Sequence, residues 1–304
     1  MAGKVKVAAA QLAPVFLNRD ATVEKARSVI LEAGKAGAEL VAFPETFLPG
    51  YPYFAVYLPP THIDRYMERV YDQAVSIPSD ATKVLGAAAR EAGCTVVMGL
   101  NEREGGTIFN SQLFIGPDGE IMGHRRKLVP TFEERMVWGR GDGSDIQLYD
   151  TPFGKLGALI CYEHSNALFR YAVQAQGEQV HVANWPGGFP EMNHIIDAAC
   201  RHYAFEAQAF VVNVTSVLTD EMIGSVDPEL AKHLSPGGGY SSIISPQGEL
   251  LAGPLEDGEG ILYAELDFTE IDRAKSVVDS SGHYARPDVV TLKLDRTKRR
   301  PLEV

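Results

Sequence analysis

The sequence predicts a layered α/β fold, on three observations. Short apolar runs rich in Val, Ala and Ile recur along the chain. Amphipathic stretches at helical spacing separate several of them, and Gly/Pro turns join others into hairpins. The runs come in the following order. KVKVAAAQL (4–12) is a first strand, and a helix follows with Val23, Ala26, Ile30 and Ala33 on one face and Gly37 near its end. AELVAFPE (38–45) is a buried strand closed by Pro44 and Glu45. A helix over 80–92 leads into the strand CTVVMGLNE (94–102). Two hairpins come next, one turning at 117–119 (PDG) and one at 152–155. A second round runs helix 165–176, strand QVHVANWP, helix 193–209, strand FVVNVTS and a hairpin at 246–248. Residues 219–239 read as a long polar loop with a Gly triplet, suited to a lid or an interface. From Arg286 the chain reads as a solvated tail, with four basic residues among 296–300. The domain expected is thus 1–285, with a tail over 286–304.

Composition narrows the function. The 304 residues are 45% hydrophobic and 22% charged, values of an ordinary globular chain. A formal charge of −12 repels polyanions, so no nucleic acid and no membrane surface is expected as a partner. Three cysteines, Cys94, Cys161 and Cys200, are too few and too scattered for a disulfide framework or a paired-Cys metal site. With no signal-like or membrane-spanning run, the expected setting is the cytoplasm. The histidines lack metal-ligand spacing, so neither metal nor other cofactor is expected.

Three side chains have the chemistry of a nucleophilic site. Cys161 ends the apolar run KLGALIC just before a helix-like stretch, where a helix dipole would favour thiolate. Glu45 closes a strand among Phe, Pro and Tyr, surroundings that raise a carboxyl toward a general base. Lys127 follows a hairpin strand. Taken singly, each also reads as an ordinary structural residue.

Together the segments FPETFLPGYPY (43–53), HRRKLVPTFEER (124–135) and GALICYEHSN (157–166) resemble the nitrilase superfamily. The resemblance implies an α/β/β/α four-layer sandwich and a catalytic triad of Glu45, Lys127 and Cys161. Glu134 falls where that family places a supporting glutamate. WGRGDG (138–143) and DSSGHYARPDV (279–289) resemble the nitrile-hydrolysing branch, and VHVANWPG (180–187) its pocket strand. One departure stands at the nucleophile. Where nitrilases commonly carry Cys-Trp-Glu-Asn, this chain has Cys161, Tyr162, Glu163 and His164.

The implied reaction is hydrolysis of a small-molecule nitrile to acid and ammonia through a thioimidate and a thioester. Tyr51, Trp138, Tyr162 and Trp185 are the expected pocket residues, and Glu163 is expected to cap the following helix. Tyr53 is a further aromatic candidate. The resemblance also implies a homodimer or larger homo-oligomer. Two alternatives remain at this point: an amidase or carbamoylase with the same triad, and a catalytically idle binding protein on the same scaffold.

Overall fold

Strands buried on both faces carry near-continuous apolar runs, and this chain uses them to stack two sheets. The computed structural model describes residues 3–299. Its first half runs β1 (Lys4–Gln11), α1 (Arg19–Lys35), β2 (Leu40–Ala42), α2 (Tyr53–Tyr57), α3 (Asp64–Gln73), α4 (Asp80–Ala92), β3 (Thr95–Glu104), β4 (Thr107–Ile115) and β5 (Ile121–Arg126). The second half begins with β6 (Tyr149–Thr151), β7 (Gly154–Ile160), α5 (Ala167–Gln174), β8 (Val180–Trp185), α6 (Asn193–Ala207) and β9 (Phe210–Thr215). It closes with α7 (Asp220–Ser225), α8 (Pro228–Ala231), β10 (Ser241–Ile244), β11 (Leu250–Leu255), β12 (Gly260–Asp267) and α9 (Thr269–Val277).

One six-stranded sheet has the order β12-β1-β2-β3-β4-β5, and the other β11-β10-β9-β8-β7-β6. Each is parallel at its centre, β1 to β3 in one and β7 to β9 in the other, with antiparallel strands outside. The period of two along each strand divides the core into layers. Val5, Val7 and Ala9 face Val180, Val182 and Phe210 between the sheets. Ala8 and Ala10, from the same strand, pack with Val23, Ala26 and Ile30 of α1 and Leu85, Ala88 and Ala89 of α4. On the far side, Ala183 and Val211 meet Ala172 and Val173 of α5 and Ile196, Cys200 and Tyr203 of α6. The order of layers is therefore helix, sheet, sheet, helix.

The ends of these elements obey local rules. Asn18 caps α1 by accepting from the Ala21 N–H, and α4 stops at Gly93, whose φ of 67° suits a residue without Cβ. Among the described residues, no helix is long and apolar enough to cross a membrane.

Two expectations are corrected. Residues 219–239 are not simply a polar loop: they fold into α7 and α8, capped by Thr219 and Asp227. Met222, Val226, Leu230 and Leu234, spaced by four, bury one apolar edge against Phe54, Tyr66 and Val70. Nor is the tail simply solvated over its described part. Leu292 and Leu294 pack on the α5 layer, and the Arg299 N–H donates to Asp142 at 2.8 Å. Residues 300–304 lie outside the described residues.

Candidate active site

Three strands of the sandwich end beside one another, and each delivers one of the expected residues. Glu45 follows β2, Lys127 follows β5 and Cys161 follows β7. The loop after β2 is pinned across the two sheets: Asn184 donates its amide to the Phe43 carbonyl, and Gln112 donates to Asn184. The Glu45 N–H donates to the Trp185 carbonyl at 3.3 Å. Gly99 lies under this loop, where a Cβ would overlap the Pro44 carbonyl oxygen.

Backbone strain collects here. Thr46 (φ 44°), Phe132 (φ 45°) and Cys161 (φ 51°) all adopt the left-handed region without being glycine. Such conformations cost about 1–2 kcal/mol each and persist where surrounding structure holds them. They sit beside Glu45, two residues before Glu134, and at the thiol itself.

The side chains form one buried cluster. Lys127 Nζ donates to Glu45 Oε1 at 2.9 Å and to Glu134 Oε2 at 2.7 Å. Asn110, from β4, donates to the same Glu45 oxygen at 2.6 Å. Glu45 Oε2 has no hydrogen-bond partner among the described residues, so one oxygen is held and the other is free for proton transfer. Donor atoms of Glu45, Glu134 and Cys161 lie within 4.8 Å of one another, and the Lys127 ammonium bonded to both carboxylates supplies the cation there. Glu134 is fixed from two further sides, by the Thr131 N–H at 2.6 Å and the Tyr51 hydroxyl at 2.9 Å.

Electrostatics assign protonation states. Burial raises Glu45, Lys127 opposes, Glu134 adds to the rise, and the result is about 7. Burial pulls Lys127 down, but Glu45, Cys161 and Glu134 outweigh it and hold the ammonium firmly charged. Burial and the Glu45 charge push the Cys161 thiol well above its ordinary value, with Lys127 only partly offsetting them. This corrects the expected dipole-stabilised thiolate. The residues after Cys161 form only a short 3₁₀ turn, Cys161–Ser165, before α5 begins at Ala167. The resting nucleophile is a thiol beside a base poised near neutrality.

The expected pocket aromatics divide. Tyr51 and Trp138 are turned toward the cluster: Trp138 Nε1 donates to Asn101 at 2.7 Å, and Lys127 Nζ lies 5.8 Å from the Trp138 ring centre. Tyr53 donates to the Gly187 carbonyl at 2.9 Å within the neighbouring aromatic packing. Tyr162 is partly exposed and meets buried Trp185 edge-on at 6.2 Å. Glu163 is engaged structurally. It takes a two-point bond from Arg125 at 2.7 and 2.8 Å and accepts the Ile160 and Leu128 N–H groups. Burial raises Glu163, but the Arg125 charge and the hydrogen bonds from Arg125, Leu128 and Ile160 together outweigh it and keep the carboxyl below its ordinary range. Sequence reasoning missed Asn110 and Arg125; alternation along the β4–β5 hairpin puts both beside the site, but only pairing of the two sheets reveals their partners.

Residues 6–276 match the carbon-nitrogen hydrolase family. The chain belongs to that family. It is 44% identical to Nitrilase 3 of an unidentified prokaryote, over 96% of this chain and 91% of the relative. It is 45% identical to an aliphatic nitrilase of Rhodococcus rhodochrous, covering 98% and 84% respectively. The fold superposes on the C. elegans NitFhit protein with a TM-score of 0.77 at 20% identity, covering 98% of this chain and 69% of the other. It also superposes on a carbon-nitrogen hydrolase from Helicobacter pylori G27, with a TM-score of 0.76 at 22% identity over 94% and 96% of the two chains.

Proposed function

We propose that this carbon-nitrogen hydrolase converts an organic nitrile to its carboxylic acid and ammonia, with Cys161 as nucleophile. The observation that carries the reading is the arrangement of Glu45: Oε1 is held by Lys127 and Asn110, Oε2 is unpartnered among the described residues, and a carboxylate oxygen of Glu45 lies within 4.8 Å of the Cys161 sulfur. Similarity above 40% to several nitrilases over nearly the whole chain supports the nitrile as substrate class.

The steps follow from the groups present. Glu45 takes the Cys161 proton as sulfur adds to the nitrile carbon, and passes it to nitrogen to give a thioimidate. The Lys127 ammonium stabilises charge developing on that nitrogen. Glu45 then activates a water; its addition and the loss of ammonia leave a thioester. A second water releases the acid and restores the thiol, so two waters are consumed per nitrile. Glu134 holds the ammonium in place, with Tyr51 and Trp138 behind it. Tyr162 and Trp185 form the wall on the thiol side.

Leu168 of α5 and Phe205 of α6 are exposed on the outer helical layer, which supports pairing of chains through that face as a homodimer or larger homo-oligomer. Three free thiols are consistent with a reducing, cytoplasmic setting.

The test is a panel of a dinitrile, an aromatic nitrile, an arylacetonitrile and cyanide, with matched amides, assayed for ammonia and acid. Acid and ammonia from a nitrile, lost in Cys161→Ala, support the reading. Turnover of amides alone overturns the substrate class in favour of an amidase or carbamoylase. Turnover of neither favours an idle scaffold.

A further inference from the structure

Behind Cys161, away from the Glu45 cluster, lies a second buried set of titratable groups that the proposed reaction does not use. His164 Nδ1 is 2.7 Å from the Cys161 carbonyl oxygen. His164 Nε2 is 2.9 Å from His181 Nε2, and His181 Nδ1 is 2.7 Å from Glu178 Oε1. The Tyr203 hydroxyl donates to Glu178 Oε2 at 2.6 Å. All four side chains are buried. Gly157 makes the room, since a Cβ there would overlap Glu178 Oε1.

Proton counting sets three hydrogens along this chain, and burial places the third on Glu178 rather than on a ring. A carbonyl only accepts, so His164 Nδ1 carries hydrogen. The two facing Nε2 atoms need one hydrogen between them, because two bare lone pairs would repel at that distance. The His181–Glu178 contact needs another. Three contacts thus require three protons, and two neutral imidazoles bring only two. The third resides on Glu178. Burial, opposed only by the Tyr203 bond, pushes Glu178 up to about 8. Burial and the neighbouring ring push His164 down to about 3, and burial lowers His181 well below its ordinary value. Every member is then neutral and every bond points toward Cys161.

We propose that Glu178, His181 and His164 are positioning residues: a neutral, proton-ordered chain that holds the Cys161 carbonyl and with it the strained φ of 51° at the nucleophile. Removing one proton to solvent reverses the chain. His181 would shift its hydrogen from Nε2 to Nδ1 and donate to the Glu178 carboxylate, His164 would shift its own from Nδ1 to Nε2 and donate to the bare His181 Nε2, and the Cys161 carbonyl would lose its donor. Other charged groups around the chain are already paired. Arg125 of β5 binds Glu163, while Arg170 of α5 binds Glu206 of α6 and donates to the His164 carbonyl at 2.8 Å. The trigger therefore lies on Glu178.

The kinetic part of this inference rests on Cys161 as nucleophile; the spectroscopic part does not. With 15N-histidine in the full-length chain, ring correlations at pH 7 should show both residues neutral, His164 protonated at Nδ1 and His181 at Nε2. Raising the pH through about 8 should exchange both tautomers and lower kcat about tenfold, with KM little changed, as one buried hydrogen bond is lost. Glu178→Gln should retain the rate and the tautomers to higher pH, because its amide donates to His181 while its oxygen accepts from Tyr203. Glu178→Leu should lose both at pH 7. An imidazolium at either ring, His164 protonated only at Nε2 at pH 7, or an alkaline limb unmoved in Glu178→Gln overturns the proposal. If the ring signals are as expected but no nitrile or amide is turned over, the chain stands and the hydrolase reading fails.

Discussion

Replacing Glu134 by Gln removes a charge from the cluster while leaving its shape. The Gln carbonyl can face Lys127 and the Thr131 N–H, which donate at 2.7 and 2.6 Å, and its amide can face the Tyr51 hydroxyl. What changes is Glu45, whose rise to about 7 owes a part to the Glu134 charge. The carboxylate oxygens lie no more than 4.8 Å apart. At an effective dielectric near 20, two like charges at that distance repel by about 3.5 kcal/mol. At 1.36 kcal/mol per unit this is about 2.5 pKa units, and screening by the ammonium between them brings the expected fall to about 1–2 units. With its negative neighbour gone, Glu45 ionises more easily, so the acid limb of kcat/KM moves from near 7 to lower pH. A weaker base also lowers the plateau, by about three- to tenfold. Ammonia release from a small nitrile between pH 4 and 9, wild type beside Glu134→Gln, measures both. An acid limb that stays in place or moves upward would refute the assignment of Glu45 as the base and Glu134 as the group that tunes it.

Lys127→Met leaves two buried carboxylates without their counter-charge, and no turnover is expected. Its stability should fall with rising pH, since a carboxyl raised in the fold contributes fully below its ordinary value near 4.5 and loses that contribution as pH passes the folded value; urea denaturation at pH 5 and 9 measures it. Arg125→Ala strands Glu163 in the interior and should cost about 3–5 kcal/mol by the same method. Gly99→Ala drives a methyl group into the Pro44 carbonyl, which should destabilise the fold by about 1–3 kcal/mol and lower kcat by displacing Glu45. A change below 0.5 kcal/mol would show that the loop has room.

The sandwich was legible wherever strands are buried on both faces, because runs such as LGALI, VHVAN and FVVNV are apolar at nearly every position. The strand β12 and the helix α9 were not. GILYAELD lies at a sheet edge, mostly half-buried, and its pattern is correspondingly mixed. Helices α2 and α3 were hidden by the aromatic and proline residues around them, whose apolar content serves a local cluster with α7 and α8. At the site, Glu45, Lys127 and Cys161 each end a strand, and the motifs around them could be read in one dimension. The thiol's protonation could not, since it depends on burial and on Glu45, which is remote in the chain. The His164–His181 contact was equally hidden. It joins the turn after β7 to the start of β8, and only parallel pairing of those strands brings the rings together.

The central claim is that Cys161 becomes acylated by a nitrile, and intact-protein mass spectrometry after rapid acid quench during turnover addresses it most directly. One adduct is expected, with the mass of the thioester or thioimidate of the nitrile supplied, mapping by peptide digestion to Cys161 and absent from Cys161→Ala. Turnover without any adduct under conditions where deacylation is slowed, or an adduct carried on Cys94 or Cys200, would contradict the account.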